Sequence, residues 1–252
     1  LALPHLQTAS ASVFVRCELE DGTVGFGEGL PREYVTGETW DGCFRCLAEQ
    51  ALPALSDLDF VSHEEMERFC EGLYGYLRQA APGMPAHYGA ACCAAELALL
   101  DAYGKHFGRS VFSGATDSDP VYSGVVSSSS LLKAAAVCWL CRRHDLPAVK
   151  LKVGAAHDGR LAWLSRAILG RKASLRADAN MAWSADRALE AIRRLQRHGV
   201  QWIEQPLAVG NPADWRLLHR ETGASLIADE SLRDEADARS LIAAEACQAF
   251  NL

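Results

Sequence analysis

No apolar run in this chain approaches the ~20 residues of a membrane-spanning helix. No cluster of lysines or arginines forms a patch for nucleic acid, and the formal net charge of −7 argues against one. Neither a membrane nor a nucleic acid is an expected partner. The opening lacks the basic stretch followed by an apolar one that marks a signal peptide. It starts at Leu1 rather than Met, so a leader upstream is left open. A disulfide pattern is also missing, since the nine cysteines are odd in number and irregularly spaced. A chain of 252 residues that is 49% hydrophobic has core enough without covalent staples, so a reducing, cytoplasmic setting is expected. Two C-x-x-C pairs, Cys43/Cys46 and Cys138/Cys141, invite a zinc reading. They lack glycine turns and nearby paired histidines, and their spacing places small apolar side chains on one helix face. Low complexity is absent, the serine run at 127–130 being too short to count.

What is present begins with a hairpin. Residues 12–20 alternate apolar and polar, Asp21-Gly22 makes a turn, and residues 23–28 return as a second strand. A polar loop, P-R-E-Y-V-T-G-E-T, follows. Helices are expected over 39–51 and 63–76, the second with Ser62 as N-cap and Glu65 at the capping-box position. After a Pro/Gly-rich loop, residues 86–105 read as a long helix whose alanines imply close packing against another element. An α+β domain over residues 1–115 is the expectation.

The chain is organised around a later stretch. In order it holds V-K-L-K-V-G, L-R-A-D-A-N, Q-W-I-E-Q-P and L-I-A-D-E-S, each a strand-like run ending in an ionisable residue. Lys152, Asp178, Glu204 and Asp229 are 26, 26 and 25 residues apart. That period suits one strand, one helix and two loops, hence parallel strands whose carboxyl ends share a rim. Three carboxylates at one rim repel each other unless a cation joins them. A hard divalent ion such as Mg²⁺ suits one carboxylate per strand plus waters and substrate. Lys150 and Lys152 lie two apart on one strand and so point to one side. Two neighbouring ammonium groups beside a dication should depress each other's pKa, toward a useful general base. Arg176 points inward with Asp178, either as a charge-balancing partner or as an interior salt bridge.

These motifs, K-L-K, D-A-N, E-Q-P and A-D-E-S in this order, resemble the enolase superfamily. More narrowly they resemble its muconate-lactonising-enzyme and mandelate-racemase branch, above all dipeptide (L-Ala-D/L-Glu type) epimerases. Residues 97–105 also resemble the A-L-x-D-x-x-G-K run that closes the family's N-terminal capping domain. The resemblance implies an α/β chain, with a capping domain over 1–115 followed by an incomplete (β/α)₈ barrel over 116–252. Strands are expected at 121–127, 148–153, 175–180, 201–204 and 225–229, with a sixth beginning at the end. It implies Asp178, Glu204 and Asp229 as Mg²⁺ ligands, Lys152 as acid/base and Lys150 as its electrostatic support. Asn180 and Glu230 either orient ligands or are solvated rim residues.

The implied chemistry is removal of the proton alpha to a carboxylate through an enediolate. The implied enzyme is an isomerase, racemase or epimerase acting on a small carboxylate, a dipeptide above all; a homo-oligomer is allowed for. Muconate cycloisomerase and o-succinylbenzoate synthase are alternatives, and a non-catalytic remnant is the alternative of another class. Substrate loops would be 6–10 and 34–38, with Tyr34, Thr36 and Glu38, expected to face the barrel's carboxyl rim. A second lysine, in an N-x-K pattern, would fall just past Asn251-Leu252. The given chain is therefore expected to be a fragment, inactive alone.

Overall fold

The hairpin alternation survives in three dimensions. The computed structural model describes residues 11–33, 35–110, 121–127 and 130–251. Two compact units emerge, Ala2–Asp117 and Ser118–Leu252.

In the first unit, β1 (Val13–Glu18) pairs antiparallel with β2 (Val24–Gly29). Gly22 turns the chain at φ +83°, and Asp21 accepts the Thr23 N–H at 2.8 Å. Val13 and Val15 are buried while Phe14 between them is exposed. On β2 the apposed face carries only glycine. A methyl on Gly25, Gly27 or Gly29 would fall 2.2, 2.0 or 2.1 Å from Ala102 N, Ala94 O or Ala90 O. Those atoms belong to the long helix α5 (Gly89–His106), so strand and helix backbones are in direct contact.

Before α5 come α1 (Trp40–Cys46), a π-helical turn (Leu47–Ala51), α2 (Leu52–Leu55), α3 (His63–Glu71) and α4 (Leu73–Ala80). The helix expected over 39–51 runs on to Leu55, with Thr39 as its cap. The helix expected over 63–76 is two helices, broken at Gly72, whose φ −99° and ψ 0° end the first. Ser62 accepts the Glu65 N–H at 3.2 Å, and Glu65 reaches back to Val61 N at 3.0 Å, one residue earlier than a standard capping box. Helix α5 starts at Gly89 rather than 86, because its cap comes from elsewhere: buried Glu38 accepts the Ala90 and Ala91 N–H groups at 2.8 and 3.3 Å. Glu38→Ala would leave two buried donors unpaired. A loss of about 1–3 kcal/mol in chemical denaturation of the first unit is the expected outcome.

The second unit is a parallel sheet in sequence order, with a helix after each of the first five strands. The strands are β3 (Ser123–Val126), β4 (Ala148–Lys152), β5 (Ser174–Asp178), β6 (Val200–Glu204), β7 (Ser225–Ala228) and β8 (Ala249–Phe250). Between them lie α6 (Leu131–Arg143), α7 (Asp158–Leu169), α8 (Ala185–Gln196), α9 (Pro212–Thr222) and α10 (Glu235–Ala243). Val149, Leu151, Leu175, Ala177, Val200 and Ile203 are buried in one cluster with Ala134, Cys138, Leu161, Ile192 and Leu195 of the helices. The intervening strand residues Lys150, Lys152, Arg176 and Asp178 therefore occupy the opposite face.

A bulge sets the parity of β6. Leu175 pairs with Val200, yet Arg176 pairs with Trp202, so Gln201 is the extra residue. Without it Val200 and Glu204, four apart, would share the helix-packed face. With it, Glu204 pairs Asp178 and joins the ionic face. Lys152 in turn pairs Asp178, so the three stand abreast on successive strands.

All nine cysteines are free thiols. Both C-x-x-C pairs are buried on helices, as their spacing predicts. Among the described residues, no helix is long and apolar enough to cross a membrane.

Candidate active site at the strand ends

Lys152 closes β4, and its ammonium donates to Asp178 Oδ2 at 2.6 Å and to Asn180 Oδ1 at 2.8 Å. Lys150, one turn of the pleat earlier, donates to Glu204 Oε1 at 3.0 Å and lies 3.1 Å from Asp178 Oδ2. Arg176 approaches Glu204 to 3.8 Å, an ion pair that fits both of its expected roles. Asp178 and Glu204 are wholly buried. Asn180 is a bridge: its backbone N–H donates to Asp178, and its side-chain amide donates to Glu230 Oε1 at 3.1 Å. The second oxygen of Glu230 is buried without a hydrogen-bond partner.

The ionisation states follow from this packing. Burial works against the charge of Lys150, but its hydrogen bonds to Glu204 and Asp178 carry its pKa above the ordinary lysine value. The expected depression is not seen at Lys150, because the carboxylates of Glu204 and Asp178 stabilise its charge. Burial pushes the Asp178 carboxyl up, yet Lys152 and Lys150 together hold it below the usual range. Burial and the neighbouring charge of Asp178 raise Glu204, and burial raises Glu230.

Asp229 stands further off. Glu204 pairs with Ile227, so Asp229 lies two residues past that register, beyond the end of β7. Among the described residues, no three histidine, cysteine or acidic side chains are gathered at metal-holding distance. Two of the three expected carboxylates are brought together; the Lys150 ammonium lies between them and that of Lys152 pairs with Asp178 alone. The donor set nevertheless suits a hard cation. Lys150, Lys152 and Arg176 pair with Asp178 and Glu204, the side chains of Asp178, Glu204 and Asp229 all offer oxygen, and Glu230 keeps an oxygen without a hydrogen-bond partner.

Two contributors went unread in the sequence. Gln205, directly after Glu204, is fully buried and bonded to the loop carrying Asp229. Asn251 donates to Glu204 Oε1 at 3.3 Å. An amide beside each strand-end motif was the available signal. Of the expected substrate loops, residues 6–10 and Tyr34 lie outside the described residues. Thr36 bonds Arg32 and the Glu38 backbone, and Glu38 caps α5, so both hold their own loop together.

Residues 133–252 match the family model described as Enolase C-terminal domain-like. The chain is 32% identical to the L-Lys-D/L-Arg epimerase of Methylococcus capsulatus, over 96% of this chain and 66% of that protein. It is 30% identical to muconate cycloisomerase 1 of Pseudomonas putida, over 100% of this chain and 66% of the other. The solved dipeptide epimerase of Cytophaga hutchinsonii, complexed with Mg and the dipeptide D-Ala-L-Val, superposes with a TM-score of 0.77 at 25% identity. That match covers 96% of this chain and 64% of the other. The chain thus spans just under two thirds of the length of such relatives.

Proposed function

The chain belongs to the enolase C-terminal domain-like family, in the branch of dipeptide epimerases, racemases and muconate cycloisomerases, and on that premise we propose that its protein is a Mg²⁺-dependent dipeptide epimerase. The observation that carries the proposal is the row Lys152–Asp178–Glu204, a base and two buried carboxylates abreast on three successive parallel strands. Lysine or histidine bases beside Mg²⁺ are the established pairing in enolase-superfamily sites.

In this reading Asp178, Glu204 and Asp229 would hold the cation, and Mg²⁺ would supply positive charge beside the substrate carboxylate. The remaining work falls to the chain itself. Epimerisation removes a proton from one face of the substrate and delivers one to the other, and Lys152 takes or delivers the proton on its own face. Its Nζ is aimed by two acceptors, Asp178 and Asn180, which fixes the direction of transfer. Lys150 holds the two buried carboxylates together, and Asn180 ties the base to Glu230.

Muconate cycloisomerisation is the second reading, favoured by the 30% identity over the whole chain to such an enzyme. One experiment separates the two. Full-length protein is mixed with Mg²⁺ in D₂O, and alpha-proton exchange is followed by NMR for a panel of L,L-dipeptides and for cis,cis-muconate. Exchange and epimerisation of dipeptides, lost with EDTA and restored by Mg²⁺, is the expected result. Lactonisation of muconate with inert dipeptides would replace the proposal by the second reading. No turnover of either would end both.

A further inference from the structure

Gln205 follows Glu204 at the end of β6 with φ +38°, a left-handed conformation uncommon for a residue with a side chain. That backbone is held from two sides: its N–H donates to Ile227 O at 2.9 Å, and its carbonyl accepts from Met181 N at 2.9 Å. The side chain is wholly buried. Its Oε1 accepts the N–H groups of Asp229 and Ser231, both at 3.1 Å. Its Nε2 donates to Leu207 O at 2.9 Å and to Ser231 Oγ at 2.7 Å. Two acceptances and two donations are the full capacity of a glutamine amide. One residue therefore joins the turns after β5, β6 and β7.

The target of this amide matters. Asp178 and Glu204 are each held by lysines through their carboxylates. Asp229 makes no such ion pair among the described residues; it is located through its backbone N–H, and the group that receives that N–H is Gln205.

We infer that Gln205 is a positioning residue that registers the Asp229–Glu230–Ser231 loop on Glu204, so that the third carboxylate is placed by an amide of the neighbouring strand. The inference deepens the proposed Mg²⁺ site and rests on it. Glutamate in this place would accept but not donate, leaving Leu207 O facing a charge; methionine would keep the volume and lose all four bonds.

The test uses full-length protein with Mg²⁺ alone as probe. Affinity is measured by calorimetry, and amide hydrogen exchange is read at Asp229 and Ser231 in the metal-free state. Gln205→Met should weaken Mg²⁺ binding about 10–100-fold, the range for partners that orient metal ligands, and should speed exchange at both amides. Leu195→Ala, a buried α8 residue, should lower the melting temperature and leave Mg²⁺ affinity unchanged, which separates positioning from general destabilisation. Unchanged affinity and exchange in Gln205→Met would overturn the inference. If that variant does not fold, Ser231→Ala decides, since it removes one of the four bonds: a several-fold weaker affinity supports the inference and an unchanged one overturns it. If the unmodified protein binds no Mg²⁺, the functional proposal fails, and the exchange rates alone judge Gln205.

Discussion

Lys152→Ala is expected to lower turnover of the full-length protein by at least the ~10²–10⁴-fold typical of a lost general base. Mg²⁺ affinity should stay within a few-fold of the original. The two readouts separate because the lysine touches the site from outside the carboxylate pair. Its side chain is a third exposed, whereas that of Lys150 is 14% exposed and sits between Asp178 and Glu204. Removing Lys152 still leaves Asp178 one cation, at 3.1 Å. The substitution also has a pH signature in the metal-free protein. Asp178 is held below the usual carboxyl range, so its contribution to stability is present at neutral pH and is lost as pH falls through that lowered value. Without Lys152 that contribution should be smaller and its loss complete at a higher pH, readable in urea titrations through the acid range below the ordinary aspartate value. Unchanged kcat with an unchanged acid limb would show that Lys152 serves only the fold.

Glycine-to-alanine substitutions in the first unit should move stability in opposite directions at two positions. Gly27→Ala is expected to destabilise by about 2–4 kcal/mol, a fall in melting temperature of about 10–20 °C for a unit of this size. The added methyl would lie 2.0 Å from Ala94 O and 2.5 Å from Ala98 N. Both are helix backbone atoms and cannot rotate away, so the strand must lift off α5. Gly75 lies in α4, exposed, and a methyl added there would meet nothing within 4 Å. At that position the same change removes only unfolded-state freedom and should stabilise by about 0.5–1 kcal/mol. Equal effects at both sites would refute the direct backbone contact between β2 and α5.

Why the ionic row was legible and its details were not is a matter of range. Strand ends could be counted because a parallel sheet with helical crossovers repeats at a nearly fixed period, and Lys152, Asp178 and Glu204 fell on it. The alanines of α5 announced close packing, though not their partner, the alternating glycines of V-G-F-G-E-G. What escaped were features made by distant partners. The Gln201 bulge exists because Val200 and Ile203 must both pack on helices while Glu204 must not. The start of α5 is set by Glu38, about fifty residues upstream. Gly72 splits a run whose local pattern is helical on both sides. Charge was misjudged at Lys150 for a similar reason. Spacing along one strand brings two ammonium groups together, whereas carboxylates from the next two strands raise the pKa of Lys150.

The thiols offer a clock for each unit. Cys93 is exposed, whereas Cys43, Cys46, Cys70, Cys92, Cys138 and Cys141 are buried. Burial pushes the thiols of Cys43, Cys70 and Cys92 up to about 12, so they react only when their surroundings open. An alkylating reagent should therefore label Cys93 first, slowed only by its own raised thiol, and the others at the pace of local unfolding. Cys43, Cys46, Cys70 and Cys92 report on the unit that holds the glycine–alanine contact, and Cys138 and Cys141 on the unit that holds the lysines. Peptide masses after timed labelling would give two opening rates from one untagged sample, and those rates say which half of the molecule lets go first.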